Sequence, residues 1–163
     1  MRMRLLFLLV IVSIGLATAE GRVFDTEQDY VKMYGADINK GIPAPAPFKM
    51  ALYKKKGLRI VVLFHKQVSE GELVCRPGNR LTEADVTGVL AINQGSSSWK
   101  KERVTTTNDP TNLQTSLWSR KDGKLFAAYV SSSSPIPFLI IGTRRGGDFL
   151  IKQKDNLARY IKE

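Results

Sequence analysis

The segment Leu58–His65 constrains the fold more than any other part of the chain. Its residues, Leu-Arg-Ile-Val-Val-Leu-Phe-His, are nearly continuous in apolar and β-branched side chains, which is typical of a strand covered on much of both faces. Before it, the apolar residues Phe48, Met50 and Leu52 alternate with period two as far as the turn Lys54–Gly57. The two segments therefore predict a β-hairpin whose second strand lies in the core.

Two other segments carry the signals that begin a helix. Thr26 and Thr82 each stand three residues before an aspartate, as in a capping box. The first predicts a short helix from about Glu27 to Tyr34, and the second predicts a helix that ends at Gly95. The side chains expected to face the core are Tyr30, Val31 and Tyr34 in the first helix and Val86, Val89 and Leu90 in the second.

The rest of the chain predicts further strands, one loop and a terminal helix. The polar segment Lys100–Asn112 has few apolar residues and predicts a long exposed loop. Arg144–Gly147 predicts a basic turn between two strands, and Asp155–Lys162 predicts a last short helix. The remaining strands are expected at Gly71–Arg76, Leu113–Arg120, Lys124–Ser131, Phe138–Thr143 and Phe149–Lys152.

Together these elements predict an α+β fold in which short helices pack on an antiparallel sheet. A helix followed by three strands occurs twice, over residues 23–77 and 80–153. This order leaves two interpretations open: a tandem α-β-β-β repeat, or two unrelated helix starts.

The first 19 residues have the pattern of a cleavable export signal. Arg2 and Arg4 precede an apolar run that begins at Leu5, and small residues at Ala17 and Ala19 mark a cleavage site after Ala19. The alternative is an uncleaved anchor, but the apolar run is shorter than the roughly 20 residues that span a bilayer. We therefore expect a secreted or periplasmic protein, residues 20–163, that forms a single domain and is not transmembrane after cleavage.

The exported part is basic and has one cysteine. Cleavage would remove Arg2 and Arg4 and lower the formal net charge from +10 to +8, which favours anionic surfaces as partners. Cys75 is the only cysteine, so no intramolecular disulfide forms and the hydrophobic core must hold the fold. We expect Cys75 to be a buried apolar residue, with a reactive thiol or an intermolecular disulfide partner as the alternative.

The sequence contains no recognisable catalytic or metal-binding set. His65 is the only histidine, so no cluster of histidines can bind zinc, and no cofactor is expected. No nucleophile elbow and no phosphate loop with a Walker lysine is present. The chain is therefore expected not to be an enzyme, although a hydrolase using His65 stays open as a hypothesis.

Positive charge concentrates at predicted turns. If these turns meet at one end of the sheet, they would form an anion-binding patch; scattered solvated turns are the alternative. No aromatic residues are interleaved with the charges, as they are in proteins that bind single-stranded nucleic acid. The candidate anion-binding residues are Lys54, Lys55, Lys56, Arg120, Lys121, Arg144 and Arg145.

Several local features occur in a fixed order along the chain: Thr26, Gly35, Pro43, the Phe48–Phe64 hairpin, Leu81–Ala84 and Trp118–Gly123. In these features the chain resembles the tandem helix-plus-antiparallel-sheet proteins of bacterial envelopes, the architecture of beta-lactamase inhibitory protein and of the small outer-membrane assembly lipoprotein. Some segments also look like those of small secreted bacterial proteins. The lipidated cysteine of the lipoprotein is missing, so the resemblance implies neither membrane tethering nor a role in an assembly machine. It transfers no functional residue.

The sequence thus favours an exported, non-enzymatic module whose sheet face or edge binds another envelope or extracellular protein. The resemblance to two protein-binding folds implies the same function. An alternative is a binder of anionic polymers or anionic membrane surfaces that works through the basic turns.

Overall fold

The computed structural model describes residues 22–38, 41–106, 114–131 and 136–162, so the expected export signal, residues 1–19, lies outside the described residues. The described chain has an α+β fold, as the sequence predicts. Its helices are α1 (Glu27–Tyr34), α2 (Glu83–Ile92) and α3 (Arg144–Lys162). Its strands are β1 (Phe48–Lys55), β2 (Leu58–His65), β3 (Val68–Cys75), β4 (Trp99–Thr106), β5 (Gln114–Arg120), β6 (Phe126–Ser131) and β7 (Phe138–Gly142).

The seven strands form one antiparallel sheet in the order β1-β2-β3-β7-β6-β5-β4. β3 and β7 lie side by side at its centre, although Cys75 and Phe138, which pair in register, are distant in sequence. We call the end of the sheet that carries the β2–β3 turn, the β5–β6 turn and the start of α3 the upper end. The β1–β2 turn lies at the opposite, lower end.

Both faces of the sheet are covered, as the apolar run Leu58–His65 predicts. Along β2, Val62 and Phe64 pack in the cluster that contains α1 and α2. Their neighbours Val61 and Leu63 pack in the cluster that contains α3. The sheet therefore divides the core into two apolar layers. None of the described helices has the length and hydropathy of a membrane-spanning segment.

The two capping boxes form as predicted. Thr26 and Thr82 accept hydrogen bonds from the backbone N–H three residues on, and the aspartate at that position accepts from the N-cap backbone. Tyr30 is fully buried against Phe64 and Tyr53. Val31, expected in the core, is 42% exposed because the apolar stripe of this short helix is narrower than predicted.

The prediction of a long loop at Lys100–Asn112 is wrong for its first half, because residues 100–106 belong to strand β4. β4 is an edge strand, and edge strands carry charges that discourage pairing with other chains. Its polar sequence therefore hides the strand pattern. A bulge between Lys101 and Arg103 further disturbs the alternation, and Lys101 lies over the Trp118 ring at 5.6 Å. Residues 107–113 lie outside the described part.

The predicted basic turn at Arg144–Gly147 is also wrong, because this segment is the first turn of α3. The strand expected at Phe149–Lys152 lies within α3 as well, and the terminal helix begins at Arg144 rather than Asp155. α3 follows a helical period because Leu150, Leu157 and Ile161 are buried on one side. The order of a helix followed by strands does recur, but α3 interrupts the second proposed unit, and a duplication stays a prediction.

Candidate functional site

The three groups of candidate cations do not converge at one place. Lys54–Lys56 lie exposed at the lower end, where β1 turns into β2. Arg120 and Lys121 lie at the upper end, and so do Arg144 and Arg145. The strand directions impose this division, because β1 ends at the lower end of the sheet whereas β5 and β7 end at the upper end.

Two of the four upper-end cations are engaged in the fold. Arg120 is only 9% exposed, and its guanidinium donates to both oxygens of Asp122 at 2.9 and 2.7 Å and to the Asn93 carbonyl at 3.1 Å. The hydrogen bond from Arg120 lowers the pKa of Asp122. By contrast, the side chains of Lys121 and Arg144 are exposed and make no ion pair within the described residues.

Arg145 belongs to a cluster that anchors the start of α3. Its guanidinium bonds Glu70 on β3 and lies 2.9 Å from Nδ1 of His65, which is 3.2 Å from the Glu70 carboxylate. The hydrogen bond from Arg145 lowers the pKa of Glu70. Thr143 accepts from the Gly146 N–H at 3.1 Å and so caps α3.

This anchoring depends on close backbone contact. A Cβ on Gly146 would overlap the Glu70 carbonyl oxygen, so glycine allows α3 to approach β3. His65, the residue of the hydrolase hypothesis, is thus part of an ion-pair cluster at the helix start. Within the described ranges, no three His, Cys, Asp or Glu side chains are grouped as metal ligands.

A second polar cluster is buried under α1 and α2. The Glu72 carboxylate accepts from the Tyr30 hydroxyl and, at 3.1 Å, from the Asn93 side-chain amide. Asn93 in turn accepts from the Val23 N–H at 2.8 Å, and Ser69 accepts from the Phe24 N–H at 2.9 Å. The cluster therefore ties the N-terminal segment to β3 and α2.

Burial raises the pKa of Glu72 from 4.5 to about 7, against the hydrogen bonds of Tyr30 and Asn93, which lower it. A neutral Glu72 can donate to the Tyr30 oxygen, which then donates to Ser69, 3.3 Å away. Ser69 completes the chain by donating to the Arg22 carbonyl at 3.1 Å. Each donor in this chain has an acceptor, so the surroundings suit the neutral acid.

A groove of about 440 Å³ opens on the α3 side of the sheet. Its floor includes Leu117 on β5 with Phe126 and Ala128 on β6. Register places these side chains on one face, because Leu117 pairs with Ala128, two residues from Phe126. The wall is formed by one side of α3, including Arg144, Gly147, Asp148 and Ile151.

The groove exists because α3 covers only part of its face. α3 packs mainly on β3 and β7, so among the described residues no helix lies above β5 and the outer side of β6. Leu117 is consequently 37% exposed, and Phe126 and Ile151 are each 43% exposed. These three large apolar side chains line one concave surface, which marks an interaction site more strongly than scattered exposure would.

Sequence reasoning did not identify this groove. The strand predicted around Leu117 is correct. The strand predicted at Phe149–Lys152 is wrong, because these residues belong to α3, which forms the wall of the groove. Leu117 and Ser119 lie on the groove side of β5, whereas the buried Ser116 lies on the other side. A strand face that carries both a leucine and a serine is a weak sequence signal that no other element fully covers it. The width of the open face depends on where α3 crosses the sheet, which local patterns do not encode.

No protein-family model matches the sequence, and the search of curated proteins found no match. Two crystal structures are distantly similar in fold. A DUF4309 family protein of Bacillus subtilis is 12% identical with a TM-score of 0.42, over 74% of this chain and 79% of that one. A cysteine-rich secretory protein of Staphylococcus aureus is 13% identical with a TM-score of 0.44, over 81% of this chain but 47% of that one. The chain therefore spans about half of the second protein, and both likenesses concern the fold alone.

Proposed function

We propose that the chain is an exported, non-enzymatic module that binds another envelope or extracellular protein in the groove between α3 and strands β5 and β6. The observation that carries this proposal is the shared exposure of Leu117, Phe126 and Ile151 along one concave, apolar surface. The export pattern of residues 1–19 supports the location. The sequence resemblance to two protein-binding envelope folds supports the same class of function.

The face of the sheet suits binding better than its edges. β4, at one edge, has consecutive charged residues Lys100–Arg103 and a bulge, two features that discourage strand addition. At the other edge, β1 is partly covered, because Leu52 donates to the Asp37 carboxylate at 2.9 Å and accepts from the Ile38 N–H at 2.8 Å. The uncovered face next to α3 has no such protection.

The exposed side chains supply a usable binding energy. Complete burial of a large apolar side chain contributes about 1.5–3 kcal/mol. Leu117, Phe126 and Ile151 are each about two-fifths exposed, so covering them contributes about 1 kcal/mol each. Replacing all three by serine is therefore expected to weaken binding about 100-fold.

Site-specific photo-crosslinking tests the proposal. The full chain is produced in its own organism with a photoreactive phenylalanine analogue at Leu117 or, as the matched control, at Val31, which is equally exposed on the opposite side. We expect a discrete protein adduct from position 117 that is absent from position 31 and lost when Ile151→Asp is added. Equal adducts from both positions, or none from position 117, would contradict the proposal.

A second candidate function is the binding of a polyanion or an anionic membrane at the upper end. It is favoured by the exposure of Lys121, Lys124 and Arg144 at that end. The test is salt-sensitive retention on heparin or anionic vesicles. Loss of retention on changing these three to Ala, but not on changing Lys54–Lys56 at the lower end to Ala, would support it; equal losses would indicate a net-charge effect.

A further inference from the structure

We infer that the occupant of the groove is a single amphipathic α-helix of the partner protein, lying beside α3 and acidic at the end that meets Lys121, Lys124 and Arg144. This inference rests on the proposed function and specifies its partner. It follows from the width of the uncovered face, from the small residues that line it and from the charges around it.

The uncovered face has the width of one helix. α3 crosses β3 and β7, and packed helices have axes about 8–10 Å apart. Neighbouring strands are about 4.8 Å apart, so a helix beside α3 would have its axis between β6 and β5. That position lies directly above Leu117 and Ala128, which pair across these two strands.

Small residues allow such a helix to approach closely. Ala128 is on the floor, and Gly142 and Gly147 lie where the wall meets the floor. Ile151 extends the apolar surface of α3 sideways, because it neighbours the buried Leu150 but is itself 43% exposed. The occupant would therefore meet an apolar floor and a wall whose apolar part is Gly147 and Ile151. A helix with a broad apolar stripe satisfies both surfaces.

The charges around the groove specify the polar part of the partner. At the upper end, Lys121, Lys124 and Arg144 are exposed. Three charged residues line the groove. Glu102 is already paired with Lys100 at 3.2 Å and accepts from the Ser119 hydroxyl, whereas Arg144 and Asp148 form no ion pair within the described residues. An occupant with acidic residues at the upper end and a basic residue about one helical turn further would pair with both.

The charge balance also disfavours a second copy of this chain as the occupant. After loss of Arg2 and Arg4 the exported chain carries a formal net charge of +8, and the exposed cations Lys121, Lys124 and Arg144 lie at the upper end of the sheet. Two copies of such a chain repel each other. An acidic partner removes that repulsion.

Three synthetic peptides test the inference against the full chain. The first is an 18-residue peptide with leucines at helical spacing, glutamates at one end and a lysine one turn further. The second has the same composition arranged with period two, which favours an extended strand. The third keeps the helical spacing but exchanges glutamate and lysine.

Binding is measured by fluorescence anisotropy, and the gain of peptide helicity by circular dichroism. We expect the first peptide to become helical on binding and to bind at least about 10-fold more tightly than the other two. Ala128→Phe, which fills the floor, should weaken this binding at least 10-fold, whereas Val31→Phe on the opposite side should leave it unchanged.

The result of each comparison decides the inference. Equal or tighter binding of the period-two peptide, equal binding of the charge-exchanged peptide, or no binding of the first peptide would overturn it. A dimer in sedimentation that Ala128→Phe abolishes would also overturn it, in favour of a second copy. The photo-adduct at Leu117 separates these failures from failure of the proposed function, because it requires only that a protein occupies the groove.

Discussion

Replacing the buried carboxyl group of Glu72 should change the pH dependence of stability more than any charge reversal on the surface. Burial raises the pKa of Glu72 from 4.5 to about 7, so the folded protein binds this proton more tightly than the unfolded chain. Stability from this group is therefore fully present below about pH 4.5 and is lost as the pH rises through 7. Glu72→Gln keeps the shape and removes the titration.

The size of the effect follows from the two pKa values. One pKa unit corresponds to about 1.4 kcal/mol, so a rise from 4.5 to about 7 corresponds to a loss of about 3 kcal/mol in the free energy of unfolding. Relative to the native chain, Glu72→Gln should gain about three-quarters of this amount between pH 5 and pH 8. The contributions of other carboxylates, such as Glu70 and Asp122, to the free energy of unfolding cancel in this comparison, because these groups are present in both proteins.

Urea denaturation followed by circular dichroism at pH 5, 6, 7 and 8 measures this difference. Glu83→Gln, at the exposed start of α2, serves as the control for the change in net charge. A difference between the native chain and Glu72→Gln that stays constant across this range would refute the reasoning. So would a difference that grows toward low pH, because it would mean that Glu72 is stabilised as the anion.

Three further outcomes test the packing. Gly146→Ala should destabilise the protein by about 2 kcal/mol or more in urea titrations, because its Cβ overlaps the Glu70 carbonyl, whereas Gly88→Ala, in open space on α2, should stabilise it by up to about 1 kcal/mol. Equal effects of the two would contradict the close contact. The Cys75 thiol, buried and with its pKa raised to about 12, should react with a thiol reagent at least about 100-fold more slowly in the native than in the urea-unfolded chain; rapid native labelling would show that it is accessible. Tyr53→Phe should leave the melting temperature unchanged or raise it, since the buried hydroxyl has no hydrogen-bond partner among the described residues, and a drop of several degrees would reveal a partner.

Much of the fold was predictable because its signals are local. Leu58–His65 is a strand with the predicted bounds, and the helix Glu27–Tyr34 begins at its capping box. Cys75 is buried, as expected. In each case, neighbouring residues in the sequence determine the structure, so alternation, capping and apolar content were sufficient.

The two wrong elements have identifiable physical causes. β4 is polar because it is an edge strand, so its sequence resembles a loop. The start of α3 contains Gly146 and Gly147, and each glycine costs a helix about 1 kcal/mol. Tertiary contacts outweigh this cost: the Glu70 carboxylate accepts from Arg145, and the Glu70 carbonyl accepts from the Thr143 N–H at 2.9 Å. Those contacts join residues that are far apart in sequence.

The candidate site was the least predictable part. The sequence shows which cations lie at turns, but it does not show at which end of the sheet each turn lies. That position follows from the pairing of β3 with β7, which no local pattern indicates. The groove needs both this pairing and the path of α3. Leu117 and Ile151 line one surface only because the β3–β7 pairing and the path of α3 bring them together.

Amide chemical-shift mapping by NMR tests the central proposal most directly. The isotope-labelled chain is titrated with the acidic helical peptide, and the shifts of all assigned amides are followed. We expect the largest changes at Leu117, Ala128 and Ile151, together with Arg144 at the upper end of the groove. Changes centred on Lys54–Lys56 or on α1, with the groove unaffected, would contradict the account.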